Sequence, residues 1–155
     1  MNRTVTRENL LLMAKAACDT LIRKFAPEDL PPKGRFHYHQ GVFLSGMEKT
    51  YELCGEEKYF NYIKAWVDSL VSPYGNIYEC NPGQLDDLQP GVLLFLLYER
   101  TGDKRYKRAM DTIEEQRRVI DGVLQKLEAS IHTDAGKEKL RAILAARVVY
   151  RVQQE

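Results

Sequence analysis

Long hydrophobic runs are scarce in this chain of 155 residues. The longest, Val92–Leu97, is far shorter than the ~20 apolar residues that cross a bilayer. The first residues, Met1-Asn2-Arg3, lead into a helical pattern that carries charges, unlike the apolar core of a secretion signal. We therefore predict a cytoplasmic protein with no membrane partner.

An excess of charge of one sign is also missing. The 23 basic and 22 acidic side chains leave a formal net charge of +1. Because nucleic acids and anionic lipids are attracted by a strongly basic surface, this balance predicts no nucleic-acid partner.

Metal-binding and cofactor motifs are lacking as well. Cys18, Cys54 and Cys80 are odd in number and show no CxxC spacing, which is typical of reduced thiols rather than of disulfides or a zinc site. His37 and His39 are two residues apart, so on a helix their rings would point away from each other, and only a loop would bring them together. With no P-loop, GxGxxG, nucleophile elbow or HExxH motif, the sequence predicts no metal and no cofactor.

What the chain does contain is an internal repeat. The segment Tyr-Glu-Leu-Cys-Gly-Glu-Glu-Lys-Tyr at residues 51–59 is echoed by Tyr-Glu-Arg-Thr-Gly-Asp-Lys-Arg-Tyr at residues 98–106, a spacing of 47 residues. Each copy places a glycine after an apolar run and an aromatic residue four positions later. This is the pattern of a helix, a left-handed glycine stop and a returning helix. The repeat predicts antiparallel helical hairpins.

Four helices can be placed around these glycines. The first is capped by Thr6, the second begins near Tyr38 and ends at Gly55, the third runs from Glu56 to about Val71, and the fourth runs from near Leu88 to before Gly102. Helices at residues 112–130 and 137–152 would bring the number to about six.

The helices differ in how their apolar residues are distributed. The third has one apolar stripe and is predicted to lie outside, whereas the fourth is apolar on every side and is predicted to be buried. The stripe of the third helix consists of Tyr59, Phe60, Ile63, Trp66, Val67 and Leu70. Alternation of the two kinds indicates an inner and an outer layer, so we predict an all-α fold in the form of an α/α toroid.

A long connection, Ser72–Asp87, separates the third and fourth helices and exceeds the ~2–8 residues usual between bundle helices. It ends with Asp86 and Asp87 at the start of the most buried helix, where the helix dipole favours an ionised carboxylate. Two interpretations stay open: these acids belong to a functional site, or one of them simply caps the helix.

Three sequence blocks carry a family resemblance. They are the aromatic-His-Tyr-x-x-Gly segment Phe36–Gly41, the Leu-Asp-x-x-x-Pro-Gly segment Leu85–Gly91, and the Leu-Tyr-Glu-x-Thr-Gly-Asp-x-x-Tyr segment Leu97–Tyr106. In this order and spacing they resemble the N-terminal part of the unsaturated glucuronyl and rhamnogalacturonyl hydrolases, glycoside hydrolase families 88 and 105. The resemblance implies an (α/α)6 barrel.

The same resemblance implies an activity and its residues. Enzymes of these families hydrate the C4=C5 double bond of an unsaturated uronyl group, so the implied partner is an unsaturated uronic-acid oligosaccharide. An aspartate protonates the vinyl ether carbon and then acts as base toward water. Asp86 matches the family's first active-site aspartate, and Tyr38, His37 and Asp87 are the candidate substrate-binding residues.

The resemblance weakens after about residue 116. The family pattern continues with a Gly-rich aromatic loop that bears a His and with a Trp-Leu-Asp-Gly block whose Asp is the family's main proton donor, and this sequence contains neither. Ile120-Asp121-Gly122 is only a faint echo of the block, so Asp121 is better interpreted as a solvated helix residue. We predict a single all-α domain, 1–155, in which residues 1–116 resemble the family and residues 117–155 form a helical tail of no recognised family.

The repeat length suggests an incomplete barrel. Six hairpins of 47 residues would need roughly 280 residues, so the chain would form about half a barrel. Such a partial (α/α)6 toroid would expose inner helices along one edge, and we predict either a homodimer through that edge or poor solubility. The alternative function is an inactive truncated family remnant or a helical interaction scaffold. A tetratricopeptide array is disfavoured because its period is about 34 residues.

Overall fold

The chain folds into α-helices joined by turns and one long loop. A computed structural model describes residues 6–81, 84–131, 134–138 and 141. Its α-helices are α1 Arg7–Lys24, α2 Tyr38–Cys54, α3 Glu57–Leu70, α4 Leu93–Thr101 and α5 Lys104–Ser130, and its 3-10 turns are Pro27–Asp29, Leu85–Asp87 and Gln89–Val92. Within these ranges the β-type pairing is limited to an isolated bridge between Val71 and Ile77. The predicted all-α class is confirmed.

Two compact units divide the chain, Met1–Arg117 and Arg118–Glu155. In the second unit, the last turns of α5 carry the exposed side chains of Val119, Val123 and Leu127, and Asp121 lies in the same helix. Residues 134–138 are also helical, while most of the helix predicted at 137–152 lies outside the described residues. Every helix in the described ranges is too short or too polar to cross a membrane.

The helix ends follow the capping residues of the sequence. Thr6 caps α1, since its hydroxyl accepts a hydrogen bond from the Asn9 N–H at 3.2 Å. Gly55 and Gly102 end α2 and α4 in the left-handed conformation, with φ of 68° and 67°. A side chain with a Cβ is strained there, which explains why both copies of the repeat need glycine.

A single hydrophobic core lies between the helices of the first unit. All six stripe residues of α3 are buried, and Trp66 stacks on Phe36 with ring centroids 5.5 Å apart. This stacking connects α3 to the segment that precedes α2, which positions that segment beside the long loop.

Helix α4 departs from prediction in two ways. It begins at Leu93 rather than near Leu88, because the preceding residues form 3-10 turns that include Pro90, which has no N–H to donate. It is also not buried on every side: its leucines are buried, but Phe95 is 57% exposed and Tyr98 is 36% exposed. No described element covers that face.

The repeat also encodes a tertiary contact. The Tyr59 hydroxyl donates to Asp19 at 3.0 Å, and the Tyr106 hydroxyl donates to Asp68 at 2.6 Å. In each copy the preceding basic residue lies over the tyrosine ring and pairs with the same aspartate: Lys58 in the first, Arg105 in the second. The repeated tyrosine therefore connects the start of one helix to an aspartate on an earlier one.

These contacts shift the pKa values of the tyrosine and aspartate side chains that form them. Burial and the hydrogen bond to Asp19 raise the pKa of Tyr59 to about 12. Burial acts to raise the pKa of Asp68, but the donors Lys64 and Tyr106 outweigh it and hold that pKa below its usual value. Both aspartates are thus stabilised as anions by the contact.

We expect Tyr106→Phe to lower the free energy of unfolding by about 1–2 kcal/mol, because it removes a donor to a half-buried carboxylate but keeps the ring. Urea denaturation measures the change. Tyr74→Phe is the matched control, since Tyr74 is 79% exposed and should lose nothing. Equal stability of the Tyr106 variant and the control would show that the hydrogen bond contributes no net stability.

Candidate functional site

The long loop after α3 is held in place by its own hydrogen bonds. The Ser72 hydroxyl accepts from the backbone N–H groups of Tyr74 and Asn76, and the Tyr78 N–H donates to the Leu70 carbonyl at 2.8 Å. The Arg108 guanidinium donates to the carbonyls of Pro73 and Tyr74, both at 2.9 Å. The loop therefore presents its polar residues in a defined geometry.

Asp87 is the buried acid at which this loop meets the segment before α2. Its side chain is 1% exposed, and one carboxylate oxygen accepts from the Asn81 N–H at 2.8 Å. The other oxygen lies 3.5 Å from the Arg35 guanidinium and 3.8 Å from His37 Nε2. One carboxylate thus joins three segments that are far apart in sequence.

Asp86 is exposed and lies in the middle of the 3-10 turn Leu85–Asp87. Neither acid caps α4, because that helix begins at Leu93 after Val92, which makes no side-chain capping bond. The capping interpretation is therefore wrong. Asp87 instead holds the turn in place through its buried contacts with Asn81 and Arg35, while the Asp86 side chain remains exposed to solvent.

His37, Tyr38 and His39 form an aromatic cluster at the start of α2. His37 precedes the helix in an extended conformation, so its ring stacks on His39 with centroids 4.8 Å apart, and the two Nδ1 atoms are 2.9 Å apart. This is the loop arrangement that helical spacing alone would exclude. Tyr38 lies 36% exposed against His39, with ring centroids 4.0 Å apart. In the described part of the chain, no three His, Cys, Asp or Glu side chains are grouped as metal ligands.

A cleft of about 360 Å³ opens beside Asp87. It is lined by Arg35, Glu79, Cys80, Asn81 and Asp87. Burial, together with the nearby Asp87 charge, raises the pKa of the Cys80 thiol to about 11, so Cys80 is a neutral wall of the cleft and not a nucleophile.

Sequence reasoning identified Asp87 but not the other residues that line the cleft. Arg35 stands directly before the Phe36–Gly41 block, and Glu79 and Asn81 lie inside the long loop that ends with Asp86 and Asp87. Their only signal in the sequence was this proximity to motifs, because the cleft depends on contacts between residues about 50 positions apart.

The helical hairpins and their left-handed glycine stops are those expected of an α/α toroid protein. The model of Glycosyl Hydrolase Family 88 matches residues 13–138, and the chain belongs to that family. The matched range extends beyond residue 116, after which the sequence resemblance weakens.

A solved structure supports the same fold. The chain is similar to a glycoside hydrolase from family 105 of C. acetobutylicum ATCC 824, with 26% identity and a TM-score of 0.59. The similarity covers 66% of this chain and 28% of that one. The chain therefore spans under a third of the length of this relative, and the predicted partial toroid is confirmed.

Proposed function

We propose that this chain acts on unsaturated uronyl oligosaccharides by hydration of the C4=C5 double bond. The observation that carries the proposal is the Leu85–Gly91 block of the family resemblance, which in the fold places an accessible acid, Asp86, on a turn fixed by a buried one, Asp87. The cleft of about 360 Å³ reaches this turn at Asp87, while Asp86, the next residue along the turn, is not one of the residues that line it.

In the proposed reaction, the Asp86 carboxyl group transfers its proton to C4 of the double bond. Water then adds to C5, and the Asp86 carboxylate takes the proton that this water releases, so the acid is regenerated. The hydrated sugar is a hemiketal that opens its ring and releases the neighbouring sugar. A residue that donates a proton to a substrate carbon must be able to contact the substrate. Asp86 meets this requirement because its side chain is exposed.

The other candidate residues have supporting roles in the proposal. Tyr38 offers a half-exposed ring against which a sugar can pack. His37 and Asp87 position other groups of the site. Asp87 holds the turn that carries Asp86 in place, and His37 lies near the Asp87 carboxylate.

The test is an ultraviolet assay of the purified chain with lyase-generated oligosaccharides, because hydration removes the conjugated double bond that absorbs. Loss of absorbance would support the proposal. A folded protein that leaves the absorbance unchanged would favour an inactive family remnant or a helical interaction scaffold.

We also propose that the chain forms a homodimer through the exposed face of α4. Phe95 and Tyr98 on this face are apolar or aromatic and exposed, as expected of a surface that a second copy covers. Sedimentation equilibrium at micromolar concentration should give twice the mass of the chain, and Phe95→Glu should return it to a monomer. A wild-type monomer with cooperative unfolding would contradict the dimer, and Glu8→Gln, at an exposed position on α1, is the control variant.

A further inference from the structure

Glu79 has a backbone conformation that its side chain does not favour. Its φ is 51°, in the left-handed region, and within the described ranges it is the one residue other than glycine with a positive φ. Glutamate at such a position costs on the order of 1 kcal/mol relative to an ordinary conformation. Glycine would avoid this strain, so the presence of a glutamate needs another reason.

The strain is held by contacts on both sides of the residue. On one side, the Tyr78 N–H donates to the Leu70 carbonyl at the end of α3. On the other, the Cys80 thiol donates to the Asp87 carbonyl at 3.5 Å and the Asn81 N–H donates to the Asp87 carboxylate. Glu79 is thus fixed between two anchors and cannot relax without breaking one of them.

The side chain of Glu79 makes no hydrogen bond or ion pair that would stabilise the fold within the described residues. It is exposed at the wall of the cleft and has no hydrogen-bond or ion-pair partner there. Tyr78, directly before it, is 56% exposed on the same anchored loop. A carboxylate on this anchored backbone offers a sugar a hydrogen-bond acceptor, and the neighbouring exposed residue Tyr78 offers an apolar face.

The charges of the cleft narrow the choice of ligand beside Glu79. Asp87 is paired with Arg35, which leaves Glu79 as the unpaired charge among the residues that line the cleft, so an anionic group placed beside Glu79 would meet repulsion. The hydroxyl groups of a neutral sugar can donate to Glu79 without this repulsion.

We propose that Glu79 is a specificity-determining residue that accepts hydrogen bonds from a neutral sugar unit at the mouth of the cleft. The inference rests on the proposed function, since the neutral sugar is the neighbour of the uronyl group. Glu79 therefore selects oligosaccharides whose second sugar is neutral over those whose second sugar is sulfated or acidic.

The experiment is a binding titration of the full chain with two saturated glucuronyl disaccharides, one with a neutral second sugar and one with a sulfated second sugar. Calorimetry or amide chemical shifts report binding without turnover. Wild type should bind the neutral disaccharide more tightly than the sulfated one. Glu79→Gln should weaken binding of the neutral disaccharide about tenfold and reduce the difference in affinity between the two disaccharides. Glu99→Gln, on an exposed helical glutamate, should change neither.

Glu79→Gly separates a ligand role from a structural one. Because glycine removes the backbone strain, this variant should unfold at a higher urea concentration than wild type, yet bind the neutral disaccharide as weakly as Glu79→Gln. Equal affinity of wild type and both variants, no preference between the two disaccharides, or no binding by wild type would overturn the inference. Preferential binding without any turnover of unsaturated oligosaccharides would contradict the proposed function and leave the role of Glu79 standing.

Discussion

Replacing Asp86 by asparagine is expected to lower turnover of an unsaturated uronyl oligosaccharide by about 10²- to 10⁴-fold, the usual effect of removing a positioned acid-base group. Asparagine keeps the shape of the side chain but can neither give a proton to C4 nor take one from water. Because Asp86 is exposed, the free energy of unfolding should change by no more than about 0.5 kcal/mol. The ultraviolet assay and urea denaturation measure the two effects.

Asp87→Asn is the matched variant one residue away. It leaves Arg35 and His37 beside a neutral amide and should lower the free energy of unfolding by about 1–3 kcal/mol. Turnover should fall as well, since the turn that carries Asp86 loses its anchor. The free energy of unfolding thus distinguishes the two neighbouring acids, because only Asp87→Asn is expected to lower it appreciably.

Two results would contradict this division of roles. If Asp86→Asn turns over substrate like wild type while a folded Asp87→Asn does not, the proton donor is the buried acid. If both variants are as active as wild type, the reaction does not use this turn.

Much of the fold could be predicted from short-range signals. The repeated glycines mark helix ends because their left-handed conformation is a local requirement, and the stripe of α3 is buried as its spacing predicted. The stacking of Trp66 in the core follows from the same stripe. Such features are encoded within a few turns of helix, so the sequence is sufficient to identify them.

The site was less accessible to this reasoning. The motifs pointed to Asp86 and Asp87, but not to the burial of one and the exposure of the other, which depend on Asn81 and Arg35. The start of α4 was missed for a similar reason. Apolar periodicity continues across Pro90, while the backbone there forms 3-10 turns that pack against α2.

Gly41 shows how two of the sequence blocks meet in space. It lies in α2 within the Phe36–Gly41 block, and a Cβ added to it would lie 1.9 Å from Gln89 Oε1 and 2.9 Å from Pro90 Cγ. Gln89 and Pro90 belong to the Leu85–Gly91 block, two and three residues after Asp87. The glycine therefore permits the close approach that places the acidic turn against α2.

We expect Gly41→Ala to lower the free energy of unfolding by about 1–3 kcal/mol, because the Gln89 side chain can move aside but the Pro90 ring cannot do so without shifting the turn. Gly46→Ala in the same helix is the control. No atom lies within 4 Å of its added Cβ, so alanine should raise stability by about 0.5–1 kcal/mol through helix propensity alone. If Gly41 is packed closely against Gln89 and Pro90, urea denaturation should show a lower free energy of unfolding for Gly41→Ala and a higher one for Gly46→Ala. A Gly41 variant as stable as the Gly46 variant would mean that the turn is not packed against α2, and would remove the structural link between the two blocks on which the site depends.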